Sequence, residues 1–375
     1  GHLIEMRHYL FNGKLPKDEN GLFRVLIAGG GTGDALIMLA QQLADAEIEA
    51  DIHYIDLSSS SREIAEKRAK IRNLSNITFH TGSLLEADKL GLFHYIDSCG
   101  VLHHLPDPSK GFSTLAKMLH PEGGMGIMVY GTYGRTGVYH MQEALRIVAA
   151  EGSSQERVDH TKALIDRLPS TNWLMNNPTI RDHKISDSGI FDLLLHSQDR
   201  AYTIPELEEE LSGAGLEFVS LIDPVQYEPD YYNLPETTSH ALKEKGKWVR
   251  ASFCELIAGN MHKHIFYARA DANSASKTAS ISNMSMIPVF RDAETANQLR
   301  QLPMGAQPSF VMNGLRFEPN IHPQAGAILR LIDGKSTLDE IRRRLPSQPD
   351  PIVFGGFFTP IFKVFNDFGK LFLKQ

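Results

Sequence analysis

The run Gly29-Gly30-Gly31-Thr32-Gly33-Asp34 is the densest chemical signal in the chain. Closely spaced glycines let a backbone turn sharply and keep Cβ atoms out of the way of a ligand lying on the main chain. Their spacing narrows the ligand. A dinucleotide fingerprint would put its third small residue where this chain has Asp34, and a carboxylate at a helix N-terminus repels a pyrophosphate. The alternative reading, Gly29-x-Gly31-x-Gly33, suits a ligand without phosphates over the turn, and methyl donation fits it better than hydride transfer. Asp56, at the end of the next strand-like run, is placed to accept hydrogen bonds from ribose hydroxyls, which either cofactor would use.

A second set of residues has the chemistry to face a substrate. His103 and His104 follow a predicted strand end, where an imidazole can take a proton near neutral pH; the plain structural reading is that both shape the loop. Transfer to an already nucleophilic atom needs mainly proximity and alignment, so a base is not required. Tyr133 lies in Gly131-Thr-Tyr-Gly-Arg-Thr-Gly137, a polar loop that either binds substrate or leads onward. His196, Asp199, Arg200 and Tyr202 follow the apolar run Ile190–Leu195 and face the cleft if that run packs inward; otherwise they form a hydrogen-bonded hinge. Glu206–Glu210 reads as a solvated helix face with an acidic first turn. Cys99 and Cys254 make no CxxC or Cys/His spacing, so neither a disulfide framework nor a metal site is expected.

These residues need a scaffold that gathers them, and the apolar pattern predicts one. Strands are predicted at residues 24–28, 51–56, 77–81, 95–99 and 125–130, with helices at 34–43 and 109–119. A further helix at 64–71 is introduced by Ser60 and Glu63 at capping-box spacing. Strand, glycine turn, helix and strand in this order make a βαβ unit, and its repetition implies a doubly wound, mostly parallel sheet with helices on both faces. From Gly131 to about Gly215 the rhythm breaks, an insertion of the size of a cap over the carboxyl ends of the strands. A helix at 204–211 and strands at 216–222 and 264–270 then complete a seven-stranded core.

The predicted organisation is a cofactor-binding core at 1–130, a cap at 131–215, completion of the sheet at 216–272, a Ser/Ala/Asn-rich linker at 273–286 and a small α/β or winged-helix-like domain at 287–375. In that last domain two helical patterns meet at Asp333-Gly334, with Ser336 expected to cap the second. With 375 residues, 42% apolar and 22% charged, the composition is that of a globular protein, and no run is long enough to cross a bilayer. A net charge of −7 disfavours a protein held mainly to nucleic-acid phosphates. Two cysteines fit a reducing, cytoplasmic setting. Nothing at the start resembles a signal peptide, and because the chain opens Gly-His-Leu rather than with Met, the expectation is that a preceding segment, and any targeting information in it, has been removed.

The motifs resemble those of the class I S-adenosylmethionine-dependent methyltransferases, continuously over residues 22–130 and more loosely to 270. The resemblance implies that Val25–Gly33 lines the methionine part of the cofactor, with Gly29, Gly30, Gly31, Thr32, Gly33 and Asp34 at the turn. It implies that Asp56, Leu57 and Ser58 hold the ribose, and that Gly82, Ser83 and Leu84 lie beside the adenine. It places Gly100 and Val101, within Ser98–Asp107, between methionine and substrate. The chain departs from the family at Ile27 and Ser83, where acids are common. An Asn-Pro-Pro-aromatic signature and a Pro-Cys motif are both lacking, which disfavours DNA bases as acceptors, and the double-Glu loop of protein arginine methyltransferases has no match.

The expected activity is methyl transfer from S-adenosylmethionine to an O, N or S atom of a small molecule or of a peptide or protein. The C-terminal domain faintly resembles peptide-binding domains of the pyrroloquinoline-quinone biosynthesis type, although a packing or dimerisation appendage explains it as well. Two alternatives remain: a non-catalytic S-adenosylmethionine-binding regulatory protein, supported only by Ile27 and Ser83, and a nicotinamide-dependent oxidoreductase, which Asp34 disfavours.

Overall fold

The computed structural model describes residues 2–148, 151–271 and 277–375. It begins with a helix that the sequence pattern did not announce, α1 (Leu3–Leu10), which buries Leu3, Met6, Tyr9 and Leu10. The predicted βαβ alternation follows as β1 (Phe23–Ala28), α2 (Asp34–Asp45), β2 (Ala50–Asp56), α3 (Ser59–Ile71), β3 (Ile77–Thr81), β4 (Phe93–Cys99), α4 (Pro108–Lys117) and β5 (Leu119–Gly131). In β1 every residue but Arg24 is buried, as a strand covered on both faces must be.

Two boundaries correct the sequence reading. α3 is capped by Ser58, whose hydroxyl accepts from the Ser61 N–H, and not by Ser60 with Glu63. Asp56 already takes the Ser58 N–H at 2.8 Å, which turns the chain into the helix early. α4 stops at Lys117 and does not reach Leu119, because Leu119 already lies opposite Phe93 in the β4–β5 ladder.

The insertion holds α5 (Val138–Val148), α6 (Ser154–Ile165) and the short α7 (Asp187–Ile190), which runs on into a π-turn at Phe191–Leu195. It has its own apolar cluster, built from Val138, Met141, Leu145, Leu174, Ile190 and Leu193–Leu195 among others. The chain returns through β6 (Ala201–Tyr202) and α8 (Ile204–Gly213). Ile204, Leu207 and Leu211 of α8 pack in the core cluster of the sheet, so the helix belongs physically with the core. Next come β7 (Leu216–Ile222), α9 (Glu236–Lys243), α10 (Lys247–Ala258) and β8 (Lys263–Ala270).

The sheet order is β3-β2-β1-β4-β5-β8-β7, with β6 paired to β5. β1 to β5 run parallel and β8 runs antiparallel between β5 and β7. The strand order reverses between β1 and β4, and ligands of such sheets sit in the crevice outside the carboxyl ends at that switch point.

The C-terminal unit contains β9 (Ile287–Phe290), α11 (Ala293–Arg300), β10 (Phe310–Met312), β11 (Leu315–Phe317), α12 (Ala325–Leu331), α13 (Leu338–Arg344), α14 (Pro351–Asp367) and β12 (Leu371–Lys374). α13 is capped by Thr337 in a capping box with Glu340. The expected cap, Ser336, instead donates to Asp333 at 2.7 Å. Part of the expected linker, 273–276, lies outside the described residues. The rest is packed: Ala279 and Met286 are buried, and the Thr278 hydroxyl donates to the Tyr9 carbonyl. β12 pairs with β9, and its Phe372 sits in the cluster that covers one face of the sheet, so the C-terminal unit closes onto the core. No helix among the described residues is long and apolar enough to cross a membrane.

Candidate active site

β1 and β4 leave the sheet side by side, and each is followed by a glycine in the left-handed region, Gly29 at φ +71° and Gly100 at φ +78°. A Cβ on Gly29 would lie 2.5 Å from Val101 Cγ2, so only glycine lets the two loops meet. Gly33, at φ +94°, brings α2 against Ala65 of α3, where a Cβ would come within 2.9 Å. Asp56 organises the turn from the next strand. Its Oδ2 accepts the Gly31 N–H at 2.8 Å and its Oδ1 accepts the Ser58 N–H, and each oxygen keeps a lone pair for a further donor. The Gly82 N–H donates to the Asp56 carbonyl, which draws the loop after β3 to the same edge. Leu57, a large apolar side chain, stands 72% exposed beside Asp56.

Gly29, Gly30, Gly31, Asp56, Leu57, Ser58, Gly82, Ser83, Gly100 and Val101 thus gather at the carboxyl ends of β1 to β4. Other expected contacts point elsewhere. Asp34 forms an ion pair with Arg68 at 2.7 Å on the surface, and exposed Thr32 gives its carbonyl to the same arginine. Leu84 is buried in the core. Ile27 is buried too and offers no charge to the turn. The pattern missed Tyr54, whose hydroxyl donates to the Gly31 carbonyl at 2.5 Å; it lies on the same strand face as Asp56, two residues on, which was the available signal.

Beyond Val101 the chain enters a cluster of aromatic and imidazole rings. His103 and Tyr130 lie with ring centroids 3.9 Å apart, His103 and His104 4.2 Å, and His104 and His196 4.2 Å. The return of the insertion is bound to this loop, since the Arg200 N–H donates to the His103 carbonyl and His104 Nδ1 lies 2.9 Å from the Gln198 carbonyl. His103 is 1% exposed, and neither ring nitrogen has a hydrogen-bond partner among the described residues. Burial, helped by the neighbouring His104, Arg135 and His196, pushes its pKa down to about 2. His103 is therefore a neutral imidazole with one donor and one acceptor unused, a costly state unless a ligand or water meets it. Burial likewise raises Tyr130 to about 12 and lowers His104.

The remaining sequence candidates stand apart from these rings. Tyr202 is fully buried, with its ring edge-on to Phe112 and under the Arg200 guanidinium. Burial raises its pKa and its hydroxyl has no hydrogen-bond partner among the described residues. Tyr133 is partly exposed and feels the charges of Glu255 and Glu206. Sequence reasoning missed Tyr130, Tyr139 and Gln142 and gave Arg135 no role of its own. Arg135 lay inside the polar loop already singled out, whereas Gln142 sits on an ordinary helix with no local signal. No group of side chains among the described residues is arranged to hold a metal ion.

Residues 26–125 match a family model described as a methyltransferase domain. An uncharacterized protein of Synechococcus sp. is 31% identical over 255 residues, which cover 66% of this chain and 60% of that protein; the chain thus spans about three-fifths of this relative's length. Phosphoethanolamine N-methyltransferase 2 of Caenorhabditis elegans is 36% identical over 93 residues, 24% of this chain and 21% of that protein. The structure of PKMT2 from Rickettsia typhi covers 99% of this chain and 74% of its own, with a TM-score of 0.68 at 17% identity. The same protein in complex with AdoHcy gives 0.67 at 16%, covering 99% and 75%. The insertion and the C-terminal unit are thus included in the likeness of fold. Residues 26–125 match a methyltransferase domain, and S-adenosylmethionine is the cofactor that such a domain uses. The glycine cradle, Asp56 and the exposed Leu57 fit that cofactor.

Proposed function

We propose that the whole chain is a methyltransferase that moves a methyl group from S-adenosylmethionine to an O, N or S atom of a small molecule or of a peptide or protein. The observation that carries this reading is the glycine turn at the carboxyl end of β1, where Gly29 packs on Val101 and Asp56 Oδ2 takes the Gly31 N–H at 2.8 Å. When bound, the cofactor supplies the methyl group and a sulfonium that leaves as a neutral thioether. Gly29, Gly31 and Val101 would line its methionine end, Asp56 would accept from its ribose, and Leu57 and Ser83 would border the base.

The part left to the chain is alignment. Holding donor and acceptor in line is worth on the order of 7–11 kcal/mol of barrier in well-oriented reactions. With its pKa at about 2, His103 is too weak a base to hold the acceptor's proton. It serves instead as a hydrogen-bonding group that orients the acceptor, in a chamber from which Tyr130, His104 and His196 exclude water. The acceptor's proton leaves to solvent after transfer.

Calorimetric titration with S-adenosylmethionine, its demethylated product and NADH tests the reading on wild type and Asp56→Asn. Micromolar binding of the first two, lost in the variant, supports it and justifies an acceptor screen that includes peptides and small amines, thiols and alcohols. Folded protein that binds neither overturns it. Binding with no transfer to any acceptor favours the regulatory alternative, and binding of NADH alone the oxidoreductase.

A further inference from the structure

The insertion leaves the core at Gly131 and returns at Ala201, and its two ends meet in one buried ion pair. Arg135 Nη2 donates to Asp199 Oδ2 at 2.7 Å, with the two side chains 3% and 0% exposed. Asp199 is fully engaged by the insertion: Oδ2 also accepts from Gln142 Nε2 at 3.0 Å, and Oδ1 from the Tyr139 hydroxyl at 3.4 Å. The arginine has a second contact set. Its guanidinium carbon lies 3.8 Å from the centroid of the Tyr130 ring, and Nε donates to the Tyr139 hydroxyl at 3.2 Å. Tyr130 is therefore in contact with both Arg135 and His103.

A buried ion pair stabilises a fold little more than apolar residues of the same volume would, so its placement asks for a positional explanation. A planar guanidinium stacks on a ring face, which an ammonium does not reproduce. We propose that Arg135 and Asp199 are positioning residues of the acceptor chamber: their pair latches the ends of the insertion together, and Arg135 holds the Tyr130 ring against His103. The inference rests on the reading of that chamber as the acceptor site. His103 is faced by His104 from its own loop, by His196 from the return segment and by Arg135 from the loop after β5. A lapse of any one contact would change the environment of its ring.

The test is NMR of imidazole-labelled protein, with the His103 signal assigned from His103→Gln, together with amide exchange and titration with S-adenosylmethionine. In wild type the His103 ring stays neutral between about pH 5 and 8. In Arg135→Met and Asp199→Asn its signal moves, and amides of residues 131–200 exchange at least about tenfold faster. Cofactor affinity in both stays within about threefold of wild type. Arg135→Lys keeps the charge but not the stack, so it restores slow exchange without restoring the His103 signal. An unchanged His103 signal in Arg135→Met, with faster exchange, reduces the pair to a structural tie and overturns the proposal. If Arg135→Met does not fold, Arg135→Lys decides alone: a wild-type His103 signal there overturns it. Wild-type protein that binds no S-adenosylmethionine would remove the methyltransferase reading, while the His103 result would still decide this one.

Discussion

The glycine turn and the ring cluster around His103 lie a few residues apart along β4 and its loop, yet they are built from different material. The turn is mostly backbone: four glycines, amide groups aimed at one carboxylate, and the start of a helix. The ring cluster is all side chain, drawn from β5, the loop behind it, α5 and a return segment some sixty residues on. The lesson is that a turn of this kind is written into a short local motif, whereas a cluster of side chains from distant segments depends on long-range packing. Substitutions should separate the two.

The largest effect is expected from Asp199→Ala, which strands the Arg135 charge in the interior; removing one partner of a buried pair costs about 3–5 kcal/mol. Thermal or urea unfolding should show that loss, with limited proteolysis starting in residues 131–200 while the core stays resistant. Global unfolding with no earlier cleavage of the insertion would break the comparison, because the turn and the cluster would then be one cooperative unit.

Gly29→Val should act on the turn. It puts a branched side chain at φ +71° and drives it into Val101, so S-adenosylmethionine affinity should fall by about 100-fold or more, about 2.7 kcal/mol. Exchange in the insertion should stay as in wild type. Faster exchange there would show the turn and the cluster to be coupled.

Acid stability sharpens the contrast further. Burial holds His8 at about 3 and His103 at about 2, both below the ordinary histidine value of about 6.5. Below pH ~6.5 the unfolded chain binds these protons and the folded protein does not, so the stability they contribute is complete above that pH and is lost as pH falls toward 3. Each contributes a slope of about 1.4 kcal/mol per pH unit. Urea midpoints from pH 7 down to about pH 5 should fall accordingly. His8→Gln and His103→Gln should each flatten the curve, and which flattens it more locates acid sensitivity in the core or in the chamber.

Two smaller effects complete the series. Cys99 is exposed at the end of β4, next to Gly100, whereas Cys254 is buried. Bound S-adenosylmethionine should slow alkylation of Cys99 by about tenfold; equal rates with and without it would move the cofactor away from this strand end. Arg68→Ala, which removes the surface pair with Asp34, should cost less than about 1 kcal/mol and leave affinity unchanged. A large loss of affinity would mean that Asp34 takes part in binding after all.

The sequence by itself determined the elements of the core and the cofactor turn, for a local reason. Strands such as β1, apolar on both faces, and a glycine run between strand and helix record their environment within a few residues. The place of Asp56 was legible for the same reason, since it ends the strand beside the turn whose Gly31 N–H it accepts. Ser58 and Thr337 show the limit: Ser, Thr and Glu are so common near helix starts that the register of a cap depends on a neighbour, Asp56 in one case and Asp333 in the other. α1 and α14 went unread because their apolar positions answer to surfaces built by distant segments. Only the tertiary structure decided which polar residues of the insertion face the chamber. It placed Tyr202 in the core and Asp199 on Arg135, a choice between two residues three apart on one strand-like segment. It also decided that His103 is neutral, since a pKa is set by burial and by charges arriving from elsewhere in the chain, and no local pattern records them.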